Sequence, residues 1–243
     1  ARPRLSAAAG DATPHRRERL RLGLASYSTR KLTLDETLEL GRALGVRHIH
    51  LKDVHLPMTA TPADFAAARA KIEAAGMRLM GGGTITLKND PAQVRTAFEY
   101  AKAAGFPLIV AAPEPAAFDL IEKAIREFDV KVAVHNHGPE DARFGLCMDI
   151  GHASRAGVDP VKTVGEVKDR LLDIHVKDLK DKLVKESQCE VGTGALDIPG
   201  LFRALVGIRF EGHVALEYEI NEANPRAGIR ESFAYMRGVC DAL

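Results

Sequence analysis

The chain is short of cysteine, of net charge and of long apolar runs, and each shortage excludes something. Cys147, Cys189 and Cys240 are its only cysteines. They have neither zinc-finger spacing nor the density of a disulfide scaffold, so they neither demand nor exclude an oxidising compartment. They are expected as two packed thiols and one loop thiol. Lys plus Arg number 34 against 33 Asp plus Glu, which leaves no overall positive field to draw in a nucleic-acid backbone. No nucleic-acid partner is expected. No apolar run approaches the ~20 residues that a membrane span needs, so the expectation is a soluble protein with no membrane partner. A cytoplasmic location is expected; because the chain begins at Ala rather than Met, export to the periplasm after removal of a signal is the alternative. Linkers and low-complexity segments are also lacking, and the reading is one domain over residues 21–243. Residues 1–20, rich in Ala and Arg and without apolar periodicity, are expected to form a flexible N-terminal arm. Arg16, Arg17, Arg19 and Arg21 within and beside it could be read as a basic patch, but a solvated leader is preferred.

What the chain does have is alternation. Strand-like runs at 22–27, 46–51, 77–81, 108–111, 130–135, 144–150, 171–176 and 213–219 are interleaved with helical stretches at 34–44, 62–75, 91–104, 115–128, 160–170, 198–205 and 226–242. The strands are near-continuous apolar runs, as parallel strands buried on both faces require, and the helices carry apolar residues at three-to-four spacing. Eight strands alternating with helices predict an α/β fold, a (β/α)8 TIM barrel, with a doubly wound open sheet as runner-up. No Gly-x-Gly-x-x-Gly opens a helix after the first strand, and Gly81, Gly82 and Gly83 are read as allowing close backbone approach. The map fails at one point. Only nine residues separate His135 from Gly145, whereas a parallel crossover needs roughly a dozen or more. Either the helix after strand five is absent, or residues that followed Asp141 are missing from the sequence. The helix start at Pro139, Glu140 and Asp141 running straight into the lead-in of the next strand favours the second, and predicts a chain break between Asp141 and Ala142.

Chemistry concentrates at the strand ends. Val-His-Asn-His-Gly at 134–138, Cys-Met-Asp-Ile-Gly-His at 147–152, Asp-Ile-His-Val-Lys-Asp at 173–178 and Leu-Glu-Tyr-Glu at 216–219 each put ligand-type side chains at the carboxyl end of a strand. Nitrogen and carboxylate donors arriving from four consecutive strand ends could converge on one divalent metal. By strand alternation Asp149 shares a face with Cys147, His175 shares one with Asp173 and Lys177, and Glu217 shares one with Glu219. Carboxylates unpaired inside a barrel are costly, so a cation is the natural companion of Glu217 and Glu219.

These residues resemble a known family, the sugar phosphate isomerase/epimerase group with the xylose isomerase-like TIM barrel, which includes ketose 3-epimerases, inosose dehydratase and endonuclease IV. The resemblance covers roughly residues 22–243. It is carried by His-Asn-His-Gly at 135–138, Asp-Ile-Gly-His at 149–152, His-Val-Lys-Asp at 175–178, Gly-Thr-Gly-Ala-Leu-Asp at 192–197 and Glu-Tyr-Glu at 217–219. Leu-Ala-Ser-Tyr-Ser at 24–28 and Leu-Lys-Asp-Val-His-Leu-Pro at 51–57 look like a subgroup of that family. The resemblance implies one divalent metal held by His135, Asp149, His175 and Glu217. The first of these departs from the family's Glu. Two imidazoles and two carboxylates suit Mn, Zn, Co or Fe better than Mg. In the ketose 3-epimerases the carboxylates of strands five and eight also remove and return the proton on opposite faces, so this chain keeps one of that pair. Lys52, His137, His152, Lys177 and Glu219 are the further candidates for proton transfer, and His55, His152 and Lys177 for substrate contact. Gly192, Thr193 and Gly194 either present N–H groups to a phosphate or make a tight turn feeding the helix capped by Asp197.

The implied activity is a metal-dependent isomerase or epimerase that deprotonates a sugar or sugar derivative next to a metal-chelated carbonyl, through an enediolate. The alternatives are a lyase or hydratase acting on a keto-sugar or keto-glycoside, and a sugar-binding barrel without catalysis. A repair endonuclease would need a larger ligand cluster for three zinc ions and basic phosphate-contacting loops, and neither is evident. The partner is a small-molecule sugar, and a homo-oligomer is possible.

Overall fold

The computed structural model describes residues 19–135, 144–184 and 186–243. Eight parallel strands close into a barrel: β1 (Arg21–Ala25), β2 (His48–Leu51), β3 (Arg78–Leu87), β4 (Leu108–Pro113), β5 (Lys131–Val134), β6 (Phe144–Asp149), β7 (Leu171–Val176) and, after a small antiparallel pair β8 (Asp178–Leu179) and β9 (Gln188–Cys189), β10 (His213–Leu216). Around the ring each strand pairs with its neighbour in sequence, and β10 closes on β1 through Leu22 opposite Val214 and Leu24 opposite Leu216. This is the predicted (β/α)8 barrel, and the open sheet is excluded. The helices are α1 (Leu34–Ala43), α2 (Pro62–Ala74), α3 (Pro91–Ala104), α4 (Phe118–Phe128), α5 (Ile150–Arg155), α6 (Pro160–Glu166), α7 (Ile198–Gly207) and α8 (Arg226–Ala242).

Local chemistry sets the helix starts. Thr33 with Glu36, and Thr61 with Asp64, form reciprocal caps on α1 and α2, while Asp90, Asp159 and Asp197 accept N–H bonds at the starts of α3, α6 and α7. The aliphatic core lies between strands and helices in two bodies. Ile49, Phe98, Ile109, Ile121 and Val132 belong to the first, and Leu24, Ile174, Phe202, Val214 and Phe233 to the second. Leu20, assigned above to the arm, is buried in the second body.

Several boundaries differ from the sequence reading. β3 runs on to Leu87, through the three glycines, because each is pressed against a neighbour: a Cβ on Gly81 would meet the Leu108 carbonyl, one on Gly82 the Phe106 ring, and one on Gly83 the Val110 carbonyl. α6 stops at Glu166, and α5 is a short helix directly after β6 that periodicity over six residues could not reveal. No disulfide links the cysteines. Cys189 sits buried in β9 and Cys240 half-buried on α8, so the expected loop thiol is absent. Asp141 and Ala142, where a break was expected, lie outside the described residues, as does the rest of 136–143 joining β5 to β6.

The segment after β7 is organised by one buried carboxylate. Asp178 accepts N–H bonds from Leu179 at 2.9 Å, Gly192 at 2.9 Å, Gly194 at 3.0 Å and Leu196 at 3.2 Å. The glycine N–H groups are thus turned inward to Asp178 and are not offered to a phosphate. Asp178→Ala strands these donors and should cost about 3 kcal/mol or more of unfolding free energy in urea titration; a loss below ~1 kcal/mol would contradict this account.

Candidate metal centre

A barrel of this kind is ordinarily filled by branched aliphatic side chains. Here the inward-facing positions towards the carboxyl ends of the strands are polar: His50, Asp149, Asp173, His175 and Lys177 are all buried. The strand alternation of β7 puts Asp173, His175 and Lys177 on one face, and the chain leaving β10 brings Glu217 beside them, its N–H bonded to the Val176 carbonyl at 3.0 Å. Asp149 ends β6 and caps α5, accepting the His152 N–H at 2.9 Å through Oδ1. His135 follows β5 and is anchored by its N–H to the Ala111 carbonyl. Two serines of the first strand end pin the mouth: Ser26 accepts the Lys52 N–H at 2.8 Å, and Ser28 accepts the Tyr218 N–H at 2.7 Å while donating to the Leu216 carbonyl at 3.2 Å.

Within this frame His135, Asp149 and His175 each bring one ligand-type atom within 4.8 Å of the other two. Glu217 stands beside them, with Oε2 at 3.2 Å from His175 Nδ1 and 3.1 Å from Lys177 Nζ. The ammonium of Lys177 also lies 3.2 Å from Asp149 Oδ2 and donates to Glu219. Asp149 Oδ2 nonetheless accepts no aligned hydrogen bond, and His175 Nε2 has no hydrogen-bond partner. A buried carboxylate oxygen left unsatisfied beside two imidazoles fits a divalent ion. The set of two imidazoles and one or two carboxylates suits a borderline ion.

The electrostatics follow from burial and pairing. Burial works against a charge on Glu217, but His175 and Lys177 outweigh it and hold the carboxyl well below its usual range. Burial likewise disfavours charge on Lys177, yet Glu217, Asp149 and Glu219 raise its pKa above that of a free lysine. His175 is raised well above an ordinary imidazole, with burial opposed by its neighbours Cys147 and Glu217. The Cys147 thiol is itself pushed up to about 12 by burial, which leaves Glu217 as the charged neighbour of His175. His135 is lowered, chiefly by burial.

The other expected residues fall in different places. His152, half exposed on α5, stacks edge-on to His135 with ring centres 5.6 Å apart and has Nε2 at 3.9 Å from Asp149 Oδ2. Lys52 reaches the mouth, its Nζ 3.5 Å from the Thr84 carbonyl and 5.3 Å from the Tyr27 ring centre. His55 has Nε2 at 3.0 Å from the Leu32 carbonyl and 3.4 Å from Thr37 Oγ1, while its buried Nδ1 has no hydrogen-bond partner. His137 lies outside the described residues. The sequence reading left out His50 and Asp173, which with His175 make a second group of converging ligand atoms. The signal was present in the alternating His48, Ile49, His50 of β2 and Asp173, Ile174, His175 of β7.

The model of the xylose isomerase-like TIM barrel family matches residues 28–239. The chain belongs to that family. Solved structures with the same fold include an uncharacterised protein from Parabacteroides distasonis, 24% identical, with TM-score 0.71 over 90% of this chain and 99% of that one. A 3-keto-D-glucoside 4-epimerase from Escherichia coli is 14% identical, TM-score 0.68, over 90% and 99% of the two chains. A probable 3-DHS dehydratase from Bacillus anthracis is 10% identical, TM-score 0.71, again over 90% and 99%. These likenesses are of fold. No curated protein matches the chain. Among the described residues, no helix is long and apolar enough to cross a membrane.

Proposed function

We propose that the protein is a divalent-metal-dependent enzyme that moves a proton on a sugar or sugar derivative, as an isomerase or epimerase. The observation that carries this reading is the convergence of His135, Asp149 and His175 at the barrel mouth, with Glu217 against His175. These four residues would hold the ion, which when bound would supply Lewis-acid stabilisation of the negative charge developing on a chelated carbonyl. Glu217, kept ionised by His175 and Lys177, is the carboxylate placed to take the proton from the adjacent carbon. Lys177, bonded to Glu219 as well as facing Glu217, holds a proton at Nζ that can neutralise an oxyanion. On this reading His152 contacts substrate, supported by its half-exposed position beside His135.

A second reading is elimination or hydration of a keto-sugar or keto-glycoside. His135 standing where the family carries a Glu favours it, because elimination needs one base and a leaving group rather than two opposed bases. Free ketoses, sugar phosphates and 3-keto-glycosides incubated with the protein in deuterated water separate the readings. Label should enter substrates whose carbonyl can chelate the ion, and a chelator should abolish the exchange. Exchange that persists in chelator, or no exchange across the whole panel with metal present, would remove the proposal.

A further inference from the structure

One layer below the mouth, the barrel holds three polar groups that this chemistry does not use, His50, Asp173 and Cys147, gathered against His175, which it does use. His50 on β2, Asp173 and His175 on β7 and Cys147 on β6 are at most 2% exposed. One ligand-type atom from each of His50, Asp173 and His175 lies within 4.8 Å of the other two. His50 Nε2, Asp173 Oδ1 and His175 Nε2 have no hydrogen-bond partner. In register beside His50 stand Ala25 and Gly81, which bring no polar side chain to it, while His175 lies between Ala215 and Asp149. Cys147 is in register with Asp173, and its thiol reaches Asp173 Oδ2 at 3.8 Å.

We propose that His50, Asp173, His175 and Cys147 form a second cation site, deep in the barrel, that takes a borderline-soft divalent ion such as zinc. Three unsatisfied buried donors around one point are costly without a cation and favourable with one. Two imidazoles, a carboxylate and a thiolate make a tetrahedral set that selects zinc, cobalt or iron(II) over magnesium or calcium. Tetrahedral bonds of ~2.1 Å space ligand atoms roughly 3.4 Å apart, so the atoms of His50, Asp173 and His175, within 4.8 Å of one another, would close inward on the ion, with Cys147 joining from beside Asp173. His50 Nε2, buried without a hydrogen-bond partner, has no competing bond to give up before it binds. On binding, Cys147 gives its proton to solvent and coordinates as thiolate. His175 divides the deep site from the mouth, with Nδ1 facing Glu217 at 3.2 Å and Nε2 facing Asp173 at 3.7 Å. The deep site shares that ring but does not rest on the catalytic reading of the mouth.

Cobalt(II) titrated into the chelator-treated full chain tests this. The expected result is a near-ultraviolet thiolate-to-cobalt absorption that zinc displaces, that His50→Leu and Cys147→Ser abolish, and that His135→Ala leaves in place. Should His50→Leu not fold, His50→Gln, a poor ligand of similar polarity, replaces it; thermal unfolding in chelator establishes that each variant is folded. Absence of the band in the unmodified protein, its survival in Cys147→Ser, or its loss only in His135→Ala would each overturn the deep site. If the band behaves as expected but His135→Ala leaves the number of ions bound unchanged, the deep site stands and the mouth assignment fails.

Discussion

Lys177→Met should destabilise the metal-free protein by about 3–5 kcal/mol, the cost of removing one partner from a buried ionic cluster. The methionine keeps the stem packed and deletes only the ammonium that lies against Asp149, Glu217 and Glu219. Three carboxylates are then left facing one another in a site where Lys177 is 1% exposed. The sign of the pH dependence follows from Glu217, whose carboxyl is held below its usual range partly by Lys177. A depressed folded-state pKa contributes stability that is present above the unfolded value of ~4.5 and lost as pH falls through the folded value. The difference between the two proteins should therefore be full at neutral pH and shrink in acid. Divalent ions should restore much of the loss, because they replace the missing positive charge, and the variant should bind them more tightly than the unmodified chain, where the ammonium competes for the same oxygens. Thermal unfolding followed by circular dichroism, with and without metal, reads all three effects. Equal melting temperatures for the two metal-free proteins at pH 7 would show that Lys177 is not the cluster's counter-ion.

That a lysine and a metal compete for one set of carboxylates was only half visible in the amino-acid order. Alternation placed Lys177 on the His175 face, but which of several acidic residues it meets depends on how β6, β7 and β10 stagger in the closed ring. The strands were legible because buried parallel strands are written as apolar runs, and each of the eight is found close to its expected place. The three glycines misled the reading of β3, since a residue chosen for close contact with the next strand carries no strand propensity of its own. The hairpin of β8 and β9 is two residues per strand, too short for any period to register. His50 was passed over because a His inside an apolar run is indistinguishable, in one dimension, from a packed core residue. Its unsatisfied nitrogen is evident only once Asp173 and His175 stand opposite it. That the Nε2 of His55 meets Leu32 and Thr37 was likewise beyond the amino-acid order, because those partners come from other segments of the chain.

Glu217→Gln should lower the rate of substrate C–H exchange by at least roughly 10²–10⁴, the usual contribution of a positioned general base, with the weakening of an ion ligand added; thermal unfolding checks that the variant is folded. This expectation rests on the contact of Glu217 with His175 at the mouth, the only such carboxylate contact there among the described residues, with His135 standing where the two-base epimerases of this family carry the other. Removing a proton next to a carbonyl needs one base; returning it from the opposite face needs a second group, and His135 has no basic lone pair left for that once it is given to a metal. The unmodified chain should therefore exchange label at a single carbon but invert free ketoses poorly. His135→Glu should reverse that balance: a harder donor shifts preference from zinc-like ions toward manganese or magnesium, and the added carboxylate gives the opposite face its base. The measurement is proton NMR of ketose mixtures in deuterated water, which reads exchange and inversion separately. Efficient 3-epimerisation of a free ketose by the unmodified protein, or exchange undiminished in Glu217→Gln, would place the proton transfer on other residues, with His152 and Glu219 the next to substitute.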